Sequence, residues 1–258
     1  MSTPIRMITA PNPGPMTLEG TNTWLVGSVV IDPGPADEKH LRTVLDAARA
    51  QAGTVTLVLL THGHADHSEG AARFAELAGC SVRAYDRSHC HDGTPLTDGE
   101  AIDVGAGVDE AGLVTMTSPG HTWDSVAFLL PDRRTLFTGD TVLGRGTTMV
   151  AHPDGSLGPY LASLRRMLAL ARDGVVTRIL PGHGAEVADP VARLEFYVAH
   201  REERLEQVRA ALAAGADSAH EIVRRVYADV DRSVWPAAEQ SVRAQLDYLR
   251  TEAGPEGI

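Results

Sequence analysis

Cysteine is nearly absent. The 258 residues contain two, Cys80 and Cys90, without CxxC-type spacing. That excludes a disulfide framework and a thiolate metal cage, and leaves both as structural thiols. No stretch approaches the roughly 18 consecutive apolar residues of a membrane span. The opening MSTPIRMITAPNPGPM also lacks the apolar segment of a secretory signal, so a cytoplasmic address and no membrane partner are expected. Missing too are a run of uncompensated Lys and Arg and a set of stacked aromatics, the usual equipment for gripping single-stranded nucleic acid. The formal net charge of −11 repels polyanions at long range and leaves room only for a local basic groove. What is present, 43% hydrophobic and 22% charged residues, suits one large core with or without a small satellite.

After a Pro/Gly-rich opening to Gly20, residues 22–27 and 28–32 read as two short strands that run into the turn Pro33-Gly34-Pro35. Residues 37–51 place Leu41, Val44, Leu45 and Ala48 on one helical face, with Gly53 as the stop signal. Residues 54–60 are a β-branched and aliphatic run, the pattern of a strand buried on both faces. A helix is predicted over 67–78, strands at 81–85, 113–117, 126–130, 134–138 and 175–180, and a helix at 157–172. Beyond Pro190 the pattern turns helical: one long amphipathic segment at 191–214 and two shorter ones within 217–251, with no strand pattern. This order predicts an α/β fold with sheets inside and helices outside, followed by a small helical domain. The expected division is 1–199 and 200–258.

The strand at 54–60 delivers the chain into Thr61-His62-Gly63-His64-Ala65-Asp66-His67. His62 and His64, two apart around a glycine, can aim both imidazoles at one point, and Asp66 and His67 follow where a helix should begin. Imidazole nitrogen and carboxylate oxygen suit a borderline cation such as zinc, with iron or manganese as alternatives. Distant partners of the same chemistry exist: His121 in SPGHT, Asp140 in FTGD and His183 in LPGHG. Each follows a strand and a glycine, where backbones can crowd around a metal.

The HxHxDH motif together with these GH, GD and PGHG elements, in this order and spacing, resembles the metallo-β-lactamase superfamily over roughly residues 18–200. The segments 20–27 (GTNTWLVG), 119–125 (PGHTWDS), 139–148 (GDTVLGRGTT), 180–184 (LPGHG) and 197–208 (YVAHREERLEQV) are similar to its lactamase-beta-2-like branch, close to glyoxalase II. The resemblance implies an αββα sandwich and two metal ions per chain. His62, His64 and His121 would bind one, Asp66, His67 and His183 the other, and Asp140 would bridge them. It further implies that a hydroxide shared by the metals attacks the electrophile, with Asp66 helping to orient it. Asp66 and Asp140 are thus the expected catalytic carboxylates. The branch carries a C-terminal winged-helix-like domain beside the site. Residues 217–251 resemble its helices, and with the chain stopping at Ile258 the strand wing is expected to be missing.

The function expected is hydrolysis of a small or carrier-linked thioester, ester or lactam. The alternative is endoribonuclease action on single-stranded RNA, an activity of the same branch. Asp66 and His183 keep the second metal position available, unlike the one-iron site of a sulfur-carrying dioxygenase. The length leaves no room for the flavodoxin-like domain of a diiron flavoprotein, and the connections are too short for the arm of ribonuclease Z. A binding protein that lost catalysis would show a broken ligand set, whereas all seven ligand types are present. Thr148, His200 and Arg201 are candidate substrate contacts, with Gly144, Gly146 and Thr147 as further donors near the cleft. Asn22, Thr23, Asp124 and Ser125 are candidates to support the ligands, the alternative for the last two being a helix cap. His40, His89, His91 and His220 read as surface or satisfied core histidines. The basic residues of the helical tail read mostly as i,i+4 partners of interleaved acids. The oligomeric state is left open.

Overall fold

In the computed structural model, which describes residues 3–105, 112–228 and 231–253, two five-stranded mixed sheets face each other. The first runs in the order β1 (Ile5–Thr9), β2 (Asn22–Val26), β3 (Val29–Ile31), β4 (Leu57–Leu59) and β5 (Ser81–Arg83). The second contains β6 (Ala101–Ile102), β7 (Leu113–Thr117), β8 (Val126–Leu130), β9 (Thr135–Gly139) and β10 (Arg178–Pro181), in the order β10-β9-β8-β7-β6. β3, β4 and β5 are parallel, as are β9 and β10, and the remaining pairs are antiparallel.

Alternation along the strands sorts side chains into three apolar layers. Between the sheets lie Trp24, Val26, Leu59, Phe128, Phe137 and Leu180, with the Trp24 ring edge-on to Phe137 at 5.8 Å. Outside the first sheet, α1 (Glu38–Ala52) and α3 (Ala71–Ala78) lay Leu41, Val44 and Phe74 on Leu25 and Val58. Outside the second, α4 (Leu157–Arg172) and the start of α5 (Pro190–Ala213) lay Tyr160, Leu164, Leu194 and Tyr197 on Ala127, Leu136 and Ile179. This is the αββα sandwich expected. The helix ends carry their caps: Asp37 accepts from the His40 amide and Gly53 closes α1 at φ +78°, while Asp189 accepts from Ala192 ahead of Pro190.

The second half of α5 leaves the sheet. Leu205, Val208 and Ala211 pack with Ile222 and Val223 of α6 (Ala219–Val226) and Val242 and Leu249 of α7 (Trp235–Ala253). Among the described residues no strand follows β10, and no helix is long and apolar enough to cross a membrane. The two shorter helical segments expected within 217–251 include residues 229–230, which lie outside those described.

Two local expectations are corrected. The Pro/Gly-rich opening holds an edge strand, β1, paired antiparallel with β2 from Ile5↔Val26 to Thr9↔Asn22. The helix expected over 67–78 is two helices, α2 (Ala65–Ser68) and α3, separated at Glu69-Gly70. A Cβ on Gly70 would stand 2.8 Å from the Pro35 carbonyl oxygen and 2.9 Å from that of Gly34, so close backbone approach breaks the helix there.

Gly120 has φ +141°, and a Cβ on it would stand 2.2 Å from Tyr160 Cα. Its missing side chain is what lets α4 press against the turn that carries His121. Gly120→Ala is expected to destabilise the chain by about 1–3 kcal/mol. Thermal unfolding of the metal-free protein checks this: a fall in Tm of several degrees is expected, and unchanged melting contradicts it.

Candidate metal centre

Both sheets end at one edge, and there the ligand-type residues converge. β4 leads through Leu60 into Thr61, whose amide donates to Asp32 Oδ1 at 2.8 Å and whose hydroxyl donates to Asp32 Oδ2 at 2.6 Å. Asp32 sits at φ +49° and is 1% exposed. The anchored turn projects His62 and His64, and α2 follows at once with Asp66 and His67. From the second sheet come His121 after β7, Asp140 after β9 and His183 after β10. Gly182 makes room for this crowding, since a Cβ on it would lie 2.4 Å from Asp140 Oδ1 and 2.8 Å from His67 Cε1.

All seven sequence-predicted ligands meet. Donor atoms of His62, His64 and His121, of His62, His67 and Asp140, and of Asp66, His67 and His183 each lie within 4.8 Å of one another. His183 Nε2 is 3.2 Å from both Asp66 Oδ2 and Asp140 Oδ2. His67 Nε2 is 3.5 Å from Asp66 Oδ2 and from Asp140 Oδ1, and His64 Nδ1 is 3.1 Å from His121 Nε2.

The far nitrogens of His62, His67, His121 and His183 are committed to hydrogen-bond partners, which fixes the tautomer and turns the other lone pair into the cluster. His67 Nδ1 donates to Asp32 Oδ2 at 2.9 Å, His183 Nδ1 to the Gly20 carbonyl at 3.1 Å and His121 Nδ1 to the Met149 carbonyl at 2.8 Å. His62 Nδ1 bonds the Thr61 hydroxyl at 3.1 Å. His64 is reversed: its Nε2 faces Asp154 Oδ2 at 3.4 Å and its Nδ1 faces the cluster.

Burial, then the neighbouring His67 and His121, hold His62 well below the usual imidazole range. Burial works against charge on Asp140 and His183, but their mutual contacts win. The Asp140 carboxyl, beside His67 and His183, lies below the ordinary carboxylate range. His183, bonded to Asp140 and Asp66, is pushed up to about 10. A proton on His183 and a cation would compete for the same lone pairs. The cluster fits a metal on a further ground: His62 Nε2 and Asp140 Oδ1 are buried with no hydrogen-bond partner among the described residues, a condition native interiors avoid.

A cleft of about 540 Å³ opens above the cluster, with His64, Asp66, His121, Asp140 and His183 along its base. Its walls are Met16, Leu18 and Leu143 from the sandwich, and Arg204, Tyr227, Val234, Ala237, Ala238 and Ser241 from the C-terminal helical region. The three candidate substrate contacts all line it. Arg201 is nevertheless buried, donating to the Thr148 carbonyl and lying over the Tyr160 ring. His200 stacks on Phe196. Of the neighbouring glycines, Gly146 lines the cleft and the Gly144 amide donates to the His183 carbonyl at 2.9 Å.

Asn22 donates to the carbonyls of Pro181 and Gly184 that flank His183, and Thr23 donates to the Asp32 carbonyl. Ser125 bonds the Thr122 hydroxyl at 2.6 Å within the His121 turn. A strand, β8, follows rather than a helix, so Asp124 and Ser125 are not caps. His40 is buried against Thr23, and His220 pairs with Glu239 on the surface.

Sequence reasoning missed Asp32 and Asp154. For Asp32 a signal existed, because a carboxylate closing the apolar run Val29-Val30-Ile31 must find buried partners. Asp154, in a surface loop, carried none.

Comparison with known proteins agrees with this geometry. The sequence profile of the metallo-beta-lactamase superfamily matches residues 16–183, and that of the beta-lactamase associated winged helix domain matches residues 218–253. The chain is 30% identical over 260 residues to a beta-lactamase-like protein 2 homolog of Drosophila melanogaster, covering 93% of this chain and 86% of that protein. It is 33% identical over 247 residues to lactamase-like protein vrtG of Penicillium aethiopicum, covering 91% and 76%. Among solved structures, a metallo-beta-lactamase family protein from Thermus thermophilus shares the fold, with TM-score 0.76, 23% identity and coverage of 96% and 93%. The protein TTHA1623, solved in a di-iron-bound form, matches with TM-score 0.57 at 26% identity over 73% of this chain and 98% of that one.

Replacing Asp32 by Ala removes the acceptor that orients His67 and anchors the Thr61 turn. Metal affinity is expected to fall by roughly 10–100-fold. Titration of the metal-free protein with zinc against a chromophoric chelator measures it, and affinity equal to wild type would show that the His67 orientation does not depend on Asp32.

Proposed function

The chain belongs to the metallo-beta-lactamase superfamily of metal-dependent hydrolases, and on that footing we propose a dinuclear hydrolase of small or carrier-linked thioesters, esters or lactams. The observation that carries the two-metal reading is the pair of separate donor groupings with a buried carboxylate between them. Asp140 Oδ2 lies 3.9 Å from His121 Nε2 of one grouping and 3.2 Å from His183 Nε2 of the other. His62, His64 and His121 would hold one cation and Asp66, His67 and His183 the second, with Asp140 shared. Zinc suits the donors; the di-iron form of TTHA1623 supports iron as the alternative.

When bound, such cations supply a water ionised near neutral pH and polarise the scissile carbonyl. The protein's part is positioning. Asp140, held ionised, keeps the two groupings in register. Asp66, at the cleft base with its side chain 29% exposed, is placed to accept a hydrogen bond from, and so would orient, a water held there. Met16, Leu18, Leu143, Val234, Ala237 and Ala238 give the acyl portion an apolar wall, while His200 and Arg204 face the polar portion and Thr148 the space between. The proposed units are residues 1–199 and 200–258. Leu194 and Tyr197 pack on the sheet side of that boundary and Leu205 and Val208 on the helical side. The second unit is read as a winged-helix-like helical domain, with no strand among its described residues, and it supplies one wall of the cleft.

One observation favours a second reading, cleavage of single-stranded RNA: Arg204 lies over the Tyr227 ring at 4.9 Å in the cleft wall, a pairing of cation and aromatic suited to a base. The apolar majority of the wall and the net charge of −11 favour the acyl substrate.

Asp140→Asn is expected to lower turnover by two or more orders of magnitude with the fold retained, since it removes the bridging charge. The check is hydrolysis by the zinc-loaded protein and this variant of a thioester and ester panel and a labelled single-stranded RNA. Metal-dependent acyl cleavage lost in the variant is the expected result. RNA cleavage without acyl turnover would assign the second reading, and an unaffected variant would remove Asp140 from the site.

A further inference from the structure

The imidazoles of the cluster are oriented from two different directions. His62, His67 and His183 direct their outer hydrogen bonds to Thr61, Asp32 and Gly20, all belonging to the first sheet and its loops. His64 and His121 do not. Their outer partners, the Asp154 carboxylate and the Met149 carbonyl, lie on a single stretch, residues 148–154, between β9 and α4.

That stretch is a strap with two edges. Its inner edge meets the metal cluster through Met149 and Asp154. Gly155 closes it against the His121 turn, where a Cβ would stand 2.9 Å from the His121 carbonyl oxygen, and the Ser156 amide donates to the Gly120 carbonyl at 2.9 Å. The outer edge is gripped by the C-terminal helices. Arg201 of α5 donates to the Thr148 carbonyl. From α7, Ser241 Oγ donates to the Val150 carbonyl at 3.1 Å, the Gln240 carbonyl accepts from the His152 amide at 3.2 Å, and Asp247 Oδ2 faces His152 Nε2 at 3.3 Å. Val150 between them is buried in the core under α4. A short segment held on both sides transmits the position of one element to the other, because packed interiors yield little.

We propose that the strap is the element through which the C-terminal helices position His64 and His121, with Asp154 the positioning residue that holds His64 with its Nδ1 lone pair toward the cluster. This rests on the two-metal reading above. The consequence is an asymmetric centre. The cation held by His62, His64 and His121 depends on α5 and α7 through the strap, whereas the outer hydrogen bonds of His67 and His183 go to the first sheet and its loops and bypass the strap. The helical unit then does more than wall the cleft.

The test uses the full chain, stripped of metal and titrated with zinc against a chromophoric chelator. The variants are Asp154→Ala, Asp154→Asn, the double variant Ser241→Ala/Asp247→Ala, and His64→Ala to mark which equivalent belongs to His64. Wild type is expected to take two equivalents. In Asp154→Ala the equivalent lost in His64→Ala should weaken by roughly tenfold, the lower end of the usual range for an outer partner of a metal-bound histidine, because the pair is partly exposed. The other equivalent should stay unchanged. Asp154→Asn, whose side-chain oxygen keeps an acceptor facing Nε2, should recover most of the loss, and the double variant should weaken the same equivalent. Imidazole ¹⁵N spectra of the metal-free protein should show His64 as the Nε2–H tautomer in wild type and as a mixture in Asp154→Ala, a change that a general loss of stability does not produce. Two unaltered equivalents in Asp154→Ala, or equal weakening of both, overturns the proposal. An unaltered double variant overturns the link to the helices. Fewer than two equivalents in wild type refutes the two-metal reading and the asymmetry with it.

Discussion

Five imidazoles and two carboxylates crowd into three overlapping groups, the donor atoms of each within 4.8 Å of one another, and hydrogen bonds within the protein do not satisfy them all. His62 Nε2 and Asp140 Oδ1 are buried without a hydrogen-bond partner among the described residues, and each such group costs about 1–3 kcal/mol. A cation resolves the frustration, and because it binds the folded arrangement and not the open chain, its affinity contributes to folding. The outer hydrogen bonds of His62, His67, His121 and His183, the glycines beside the ligands and the buried Asp32 all hold donor atoms pointed at one place.

The fold makes this convergence by strand direction. β3, β4 and β5 run parallel in one sheet, β9 and β10 in the other, so the carboxyl ends of β4, β9 and β10 reach one edge and release His62, Asp140 and His183 together. The Trp24–Phe137 contact and the apolar layer around it lock the sheets face to face. Asn22 joins the sheets at the site itself, donating to the carbonyls on either side of His183. Ligand geometry is thereby inherited from sheet packing.

The ligands were legible because each is marked locally: His62 to His67 are packed into one turn after an apolar strand, and His121, Asp140 and His183 each follow a glycine. The layered fold was legible from the alternation of apolar runs and helical faces. What escaped depends on contacts between segments far apart in the chain. β1, with Pro4 and Pro11 at its flanks and mostly exposed side chains, is a strand only because β2 offers its edge. The break before α3 exists because Gly70 meets the backbone of Gly34 and Pro35. The strap carries no motif at all: Asp154 faces His64 through tertiary placement, and Ser241 and Asp247 reach it from a helix near the chain's end.

The most direct measurement is anomalous diffraction at the zinc edge from crystals of the zinc-loaded protein. Two peaks are predicted, one enclosed by His62 Nε2, His64 Nδ1 and His121 Nε2, the other by Asp66, His67 Nε2 and His183 Nε2, with Asp140 between them. A single peak, or two that leave Asp140 outside, would contradict the bridged two-metal centre on which the account rests.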